Sequence, residues 1–414
     1  MAVTTVAKTI GTTGTFSTLQ LWEDGAPANL TTSNNWTAGT FVGTFTQGEV
    51  VTGTGITGGK LLDTDGSTYI TFGTTTTPAA GITITGSTSG ATCVISGAAN
   101  VGVIWQGQCQ NQTFSGASLL LTFSGSTSSS TAYKHLTTVA GASFRDNANV
   151  QTNALHYNTA NGVAITQSGI NNETITTSEG AVRLSGLQIA ATGTGGRAFT
   201  DTAGGVGTYD FNIFEGTYVG TSATLGVIST TNTKTVRNCL VIQRATAADH
   251  IVGTGTSSTA YTNCTFVAPD DLATAPTSIF LSGASGSVTA KNCSMFAGDS
   301  TKAIKAGSAT FTFTTCYSDI SGTTGVTQTT YGNEFQNVND ATRDFRLVTG
   351  AAGKDTGTTD STNAANDIAG TARPSGSAYD VGCWEFVQAA GRTTKNTRSW
   401  PLGTEIGMGW RMNQ

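Results

Sequence analysis

Charge is what this sequence has least of. Asp, Glu, Lys and Arg make up 11% of its 414 residues, less than half the share usual in globular proteins. Disordered chains combine low hydrophobicity with high charge, so this is not a disordered composition. With 20 Lys and Arg against 25 Asp and Glu, the net charge is −5. No basic stripe exists to neutralise phosphates, which argues against nucleic acid as a partner. Proline is scarce at six residues. No run of about 18 apolar residues occurs, so no membrane insertion by a helix is expected. Met1–Gly11 lacks both a charged n-region and a long apolar h-region, so the chain is expected to be made in the cytoplasm without an encoded export signal. The seven cysteines show no C-x-x-C spacing and no small disulfide framework, which predicts neither a zinc site nor any other metal or cofactor. A serine-hydrolase elbow on a strand-to-helix turn is also missing.

What is present favours strands and turns. Glycine numbers 53, Thr and Ser crowd nearly every segment, and Thr and Val favour extended backbone while Gly favours tight turns. One phrase recurs: Val236-Arg-Asn-Cys-Leu-Val-Ile242, Tyr261-Thr-Asn-Cys-Thr-Phe-Val267, Ala290-Lys-Asn-Cys-Ser-Met-Phe296 and Phe313-Thr-Thr-Cys-Tyr317. Aligned on Cys239, Cys264, Cys293 and Cys316, the frame extends back to Asn212 and Gly186, with steps of 26, 27, 25, 29 and 23 residues. A fixed phrase with a variable step means rungs of one geometry joined by loops of changing length, a solenoid. Stacked in this way, the four cysteines form an internal column of small buried thiols. Asn238, Asn263 and Asn292 are expected to stack as a side-chain ladder at a turn.

The chain divides into five parts. Residues 1–38 are an N-terminal cap whose segment Thr15–Asp24 is the best helical candidate, with Ser17 or Thr18 as cap and Leu19, Trp22 and Ala26 at helical spacing. Residues 39–99 read as an inserted β-rich module of short strands between Gly-rich turns. Within it Asp63-x-Asp65-Gly66 has the opening spacing of a calcium loop, but no later carboxylate completes one, so it reads as a hairpin turn. Residues 100–340 are the parallel stack, 341–386 its closing rungs, and 387–414 a tail. That tail carries Arg392, Lys395, Arg398 and Arg411 against Glu405, a net +3, with Trp400 and Trp410 as anchors. Arg and Trp are enriched at binding hot spots, so Arg392, Lys395, Arg398, Trp400 and Trp410 are a candidate docking element.

The closing phrase runs Asp344-Phe-Arg-Leu347, then Asn366-Asp-Ile-Ala-Gly-Thr-Ala-Arg-Pro374, then Tyr379-Asp-Val-Gly-Cys-Trp-Glu-Phe386. It resembles the C-terminal end of right-handed parallel β-helix proteins of the pectate-lyase-like superfamily, as do the Asn-Cys rungs. The resemblance implies an all-β fold: a right-handed, single-stranded parallel β-helix. That fold hosts lyases, hydrolases, adhesins and viral spikes alike, so it leaves chemistry open. A glycan-cleaving enzyme would need converging carboxylates. The only cluster worth weighing is Asp249 and His250 with Asp270 and Asp271 one rung later, and solvated loop ends are the plainer reading. His135 and His156 have no acid or cysteine at ligand spacing and read as structural. Low charge, Thr/Ser/Gly richness and a capped β-helix also resemble bacteriophage virion proteins. That resemblance implies a homotrimer on the virion surface, made in the host cytoplasm. Its most direct role is capsid decoration or cement, binding the major capsid protein or another virion protein. A tail spike or fibre binding host surface glycan and a polysaccharide-degrading enzyme are the alternatives.

Overall fold

The computed structural model describes residues 3–32, 34–56, 59–74, 78–146, 152–202, 204–219, 226–230, 232–245, 250–255, 258–282, 286–360 and 365–387. The chain is an all-β parallel solenoid of about seven turns. Its first sheet has nine strands, from Thr4–Ile10 and Val103–Cys109 to Thr310–Thr314. The second, also of nine, runs from Thr113–Gly116 to Val326–Gln328, and the third, of seven, from Leu121–Phe123 to Ala303–Gly307. Each rung visits the three in turn, as Lys234–Arg237, Leu240–Gln243 and His250–Thr254 do.

The repeated phrase is the corner between the first and second sheets. Leu240, Thr265, Ser294 and Tyr317 stack in register, which stacks the cysteines just before them. The residue before each cysteine turns the chain with a left-handed backbone: φ is 50° at Asn238, 52° at Asn263 and Asn292, and 53° at Thr315. Asn tolerates this region better than most residues, which explains its recurrence. The expected side-chain ladder is not what the carboxamides form. Those of Asn238 and Asn263 are buried without a hydrogen-bond partner, while Asn292 pairs with the backbone of Thr358 through bonds of 2.6 and 2.9 Å. The same register corrects the frame at its start. Ser185 pairs with Asp210 and Gln188 with Ile213, so Leu187, not Gly186, aligns with Asn212 and Cys239. Gly186, at φ 72°, belongs to the Asn position.

All seven cysteines are free and buried. Along the column each thiol donates to a carbonyl of the rung before it: Cys239 to Tyr209 and Cys264 to Val236 at 3.4 Å, Cys293 to Tyr261 at 3.7 Å, Cys316 to Ala290 at 3.3 Å. Asn212 takes the same place one rung earlier, its Nδ2 donating to Leu184 O at 3.0 Å.

The N-terminal end is plugged by the helix Leu19–Asp24, whose cap Thr18 accepts from Leu21 N. Leu19 and Trp22 enter the solenoid core; the Trp22 ring meets Phe123 edge-on at 5.9 Å, and Trp105 Nε1 donates to Trp22 O at 3.1 Å. At the other end Ile320 turns into the same core at 4% exposure. An open end would leave its last core layer against water, and the lid helix removes that cost at the N-terminal end.

Between the first two strands of the first sheet the chain builds a closed six-stranded antiparallel barrel from strands Asn34–Val42, Val50–Thr52, Gly59–Thr64, Tyr69–Gly73, Thr83–Gly86 and Thr92–Val101. Trp36, Leu61, Ile70, Phe72, Ile84 and Ile95 fill it. Lys8 pairs with Asp63 at 2.8 Å, and Lys60 Nζ donates to Asp24 O at 2.9 Å, tying the barrel to the first rung and the lid. The Asp65 carboxylate accepts from the amides of Ser67, Thr68 and Tyr69 and so holds a hairpin turn.

The closing phrase does not add rungs. Strand Asp344–Leu347 pairs antiparallel with Phe335–Asn337 in a sheet of their own, and residues 331–360 and 365–386 fold back over the outer face of the second sheet. The reason lies in that face. Ile213, Leu240, Ile242, Val267 and Phe296 point outward from it and would be exposed; Tyr331, Phe335, Phe345, Leu347, Ile368 and Trp384 cover them in a second core.

Candidate functional site

Of the predicted acid/base group, Asp249 lies outside the described residues. His250 opens a strand of the third sheet and is fully buried. Its ring lies 5.7 Å from that of Tyr218, and burial pushes its pKa down to about 4, so it is a neutral imidazole. Asp270 and Asp271 follow the second-sheet strand Thr265–Val267 and are exposed. Asp271 Oδ1 accepts from Asp340 N at 2.7 Å, which fastens the covering segment. Asp270 instead lines an open groove of about 350 Å³ with Asp299, Asp319, Gln328, Thr330 and Tyr331. His250 is not among the residues lining that groove, so the histidine and the aspartates serve different sheets. Within the groove, Asp319 is turned inward, accepting from Ala297 N at 3.2 Å and Gly298 N at 2.8 Å. The docking candidates Arg392, Lys395, Arg398, Trp400 and Trp410 lie outside the described residues. Cys239, Cys264, Cys293 and Cys316 belong to the core and carry no site.

Sequence reasoning missed the charged groups that the covering segment buries. Glu215 projects from the second-sheet strand Ile213–Gly216 and is 2% exposed. Arg343 grips both its oxygens at 2.9 and 2.8 Å, and Arg244 reaches it at 3.2 Å. Arg244 in turn holds both oxygens of Asp340, at 2.7 and 2.8 Å. Burial raises the Glu215 carboxyl above its ordinary range, and the two guanidiniums oppose that rise. Beside Arg244 and Asp340 the ring opens to solvent, their side chains being 31% and 30% exposed.

A second cluster is built from the closing phrase. Arg373 and Glu385 form a pair at 3.3 Å with both side chains at 0% exposure. Arg373 also donates to Asp380 O and Gly382 O at 2.8 Å. Glu385 accepts from Ser375 N at 2.7 Å and Asp380 N at 3.1 Å; Asp367 accepts from Glu385 N at 2.9 Å, and Asp380 from Asp355 N at 2.7 Å. Burial pushes Glu385 up to about 6. Asp367, Arg373, Asp380 and Glu385 of the closing phrase are therefore a knot of charge and backbone amides that fixes the end of the covering segment. In a chain so poor in charge, an Arg and three acids within 20 residues were the available signal.

These arrangements hold structure. Each of the buried carboxylates Glu215, Asp367, Asp380 and Glu385 accepts from an arginine or from backbone amides, which leaves none poised against a second acid across a cleft. Among the described residues no three His, Cys, Asp or Glu side chains group as metal ligands, and no helix is long and apolar enough to cross a membrane. What the molecule presents outward is a sealed solenoid, a side-mounted barrel and a polar groove. No protein-family model, curated protein or solved structure matches the chain.

Proposed function

We propose that this chain is a structural protein of a bacteriophage particle, a trimeric decoration or cement protein at the virion surface. The observation that carries the reading is the commitment of its buried charge: Glu215, Arg244, Arg343 and Asp340 clamp the covering segment onto the solenoid, and the Arg373–Glu385 knot braces that segment within itself. A rod whose N-terminal end is plugged and whose flank carries a barrel suits a part that adds buried area between neighbouring subunits. The barrel, or the cationic tail with Trp400 and Trp410, is the docking element, and the major capsid protein or another virion protein is the partner. Locating the protein on purified particles tests this directly. Position on capsid faces with three copies per site supports it, and position only at the tail tip overturns it.

The groove at Asp270 favours one second reading, a tail spike or fibre that binds or cleaves a surface glycan, because Asp270, Asp299, Gln328 and Thr330 gather polar groups in one open channel. Cleavage of host polysaccharide by the purified protein, abolished by Asp270→Ala, would establish that reading in place of the first.

A further inference from the structure

Beneath the lid helix the solenoid buries a lysine between two glutamates. Lys134 lies on the first-sheet strand Lys134–Thr138 and is 0% exposed. Its Nζ meets the carboxylates of Glu23, from the lid helix, and Glu179, from the loop one rung on, and donates to Ser124 O at 2.9 Å. The three side chains are 1%, 4% and 2% exposed. Trp105 and Val182 flank Lys134 in the sheet, and Trp22 and Phe123 adjoin Glu23 and Ser124, so water has little access. One ammonium touches two carboxylates, and Lys60 acts on Glu23 only from beyond contact, so one acid has no cation of its own unless it is protonated.

The hydrogen bonds say which. Glu23 uses both oxygens: Oε1 accepts from Ser124 N at 3.0 Å and Oε2 from Gln20 Nε2 at 3.1 Å. Glu179 Oε1 accepts from Ser126 N at 2.9 Å, but its Oε2 is buried without a partner. Burial also raises the Glu179 carboxyl above its ordinary range. Glu179 is thus the protonated acid, open to attack, and Glu23 the base, both in contact with one amine.

We propose that Lys134 and Glu179 condense into an intramolecular amide, with Glu23 carrying the protons. Glu23 takes a proton from the Lys134 ammonium, and the freed Nζ attacks Cδ of the protonated Glu179. Negative charge developing on Oε1 faces the Ser126 N–H, an oxyanion donor already in place. The Cδ–Oε2 bond then breaks. Glu23 delivers its proton to the departing oxygen while accepting one from the nitrogen, so water leaves and Glu23 remains as the neutral acid. Charge is balanced throughout and no oxidant or cofactor enters. The product replaces a buried ion cluster by an amide, which a low-dielectric interior favours. A contrasting site lies further along the same sheet: Lys234 pairs with Asp201 at 2.8 Å, and that carboxylate also meets the Tyr209 hydroxyl. With a phenol in place of the second acid, that site stays an ion pair.

Intact mass of the full chain in denaturant tests the condensation. One water, about 18 Da, should be missing after folding and present in chain kept unfolded since synthesis. A proteolytic fragment should join the peptides that contain Lys134 and Glu179. Glu23→Gln should fold and keep the full mass, and Lys134→Met should lose the joined fragment. An unmodified wild-type mass overturns the proposal, as does a fragment joining Lys134 to Glu23, or a missing water in the Glu23→Gln protein. If either variant fails to fold, the wild-type mass and the joined fragment still support or overturn the amide by themselves.

Discussion

Replacing Arg343 by alanine should strip Glu215 of its main partner. Arg343 supplies both short bonds to that carboxylate, at 2.9 and 2.8 Å, and leaves only the longer contact from Arg244 at 3.2 Å. Glu215 is 3% exposed in its side chain. Breaking a buried pair by removing one member costs roughly 3–5 kcal/mol, since the remaining charge is uncompensated. Because Arg244 remains, the low end, about 3 kcal/mol, is expected. The loss should depend on pH. Burial already places the folded Glu215 carboxyl above its unfolded value, so the native state takes up a proton first, and acidification removes the orphaned charge. The deficit of Arg343→Ala should therefore shrink as pH falls through the folded value. Denaturant titration between neutral and mildly acidic pH measures it, and hydrogen exchange at Phe345 and Val348, whose amides bond to Leu155 and Glu334, shows whether the covering segment is what loosens. In a Glu215→Gln background the same substitution should cost under about 1 kcal/mol, the worth of an ordinary hydrogen bond. An equal loss in both backgrounds, or one that does not change with pH, would refute the charge argument.

Three further outcomes follow from the same geometry. Glu385, buried beside Arg373, Asp380 and Asp367, sits at about 6 against an ordinary 4.5; it binds its proton more tightly when folded, so stability should rise by up to about 2 kcal/mol as pH falls from about 7 to about 4.5. Glu385→Gln should flatten that part of the profile. Asn263→Ala should cost about 1 kcal/mol more than Asn263→Gly, because φ is 52° there and only glycine adopts it freely; paired thermal unfolding curves compare them. None of the seven thiols should react with iodoacetamide before unfolding, since all are buried; burial pushes Cys109, Cys239, Cys264 and Cys293 up, away from the thiolate, while Cys316, lowered by its bond with the Cys293 thiol, is shielded by burial alone. Labelling of any of the four column cysteines in the native protein would contradict the packing described.

The stack was legible because its corner needs two things at fixed places: a residue that accepts a left-handed backbone and, next to it, a small one that packs inward. Asn-Cys satisfies both, and three copies of it set the register. Where glycine supplied the backbone, at Gly186, the inward neighbour was Leu187 and the frame slipped by one residue. The lid was readable from Leu19 and Trp22 at helical spacing behind a Thr cap. The covering segment was not, because Asp344-Phe-Arg-Leu347 has the alternation of any strand, and alternation does not say which sheet a strand joins. What would have told is the second sheet itself: Ile213, Leu240 and Ile242 point away from the solenoid interior, and apolar residues on both faces of a strand require two cores. The acid/base group failed for a related reason. His250 and Asp270 are close in rung count, but one stands on the third sheet and the other follows the second, and a count of residues does not distinguish sides of a prism.

The barrel enters and leaves the solenoid at one place. Asn34 and Val101, its first and last residues in pairing, are partners across adjacent strands, so the barrel's own closure brings the two halves of the interrupted first sheet within reach. To the solenoid, the inserted strands are equivalent to a single tight connection from the stretch after the lid helix into Val103–Cys109. The module is thus a cassette: with only the Lys8–Asp63 and Lys60–Asp24 ties given up, another domain with neighbouring ends can stand in its place, and whatever the molecule grips through that flank can change while the rod that carries it does not.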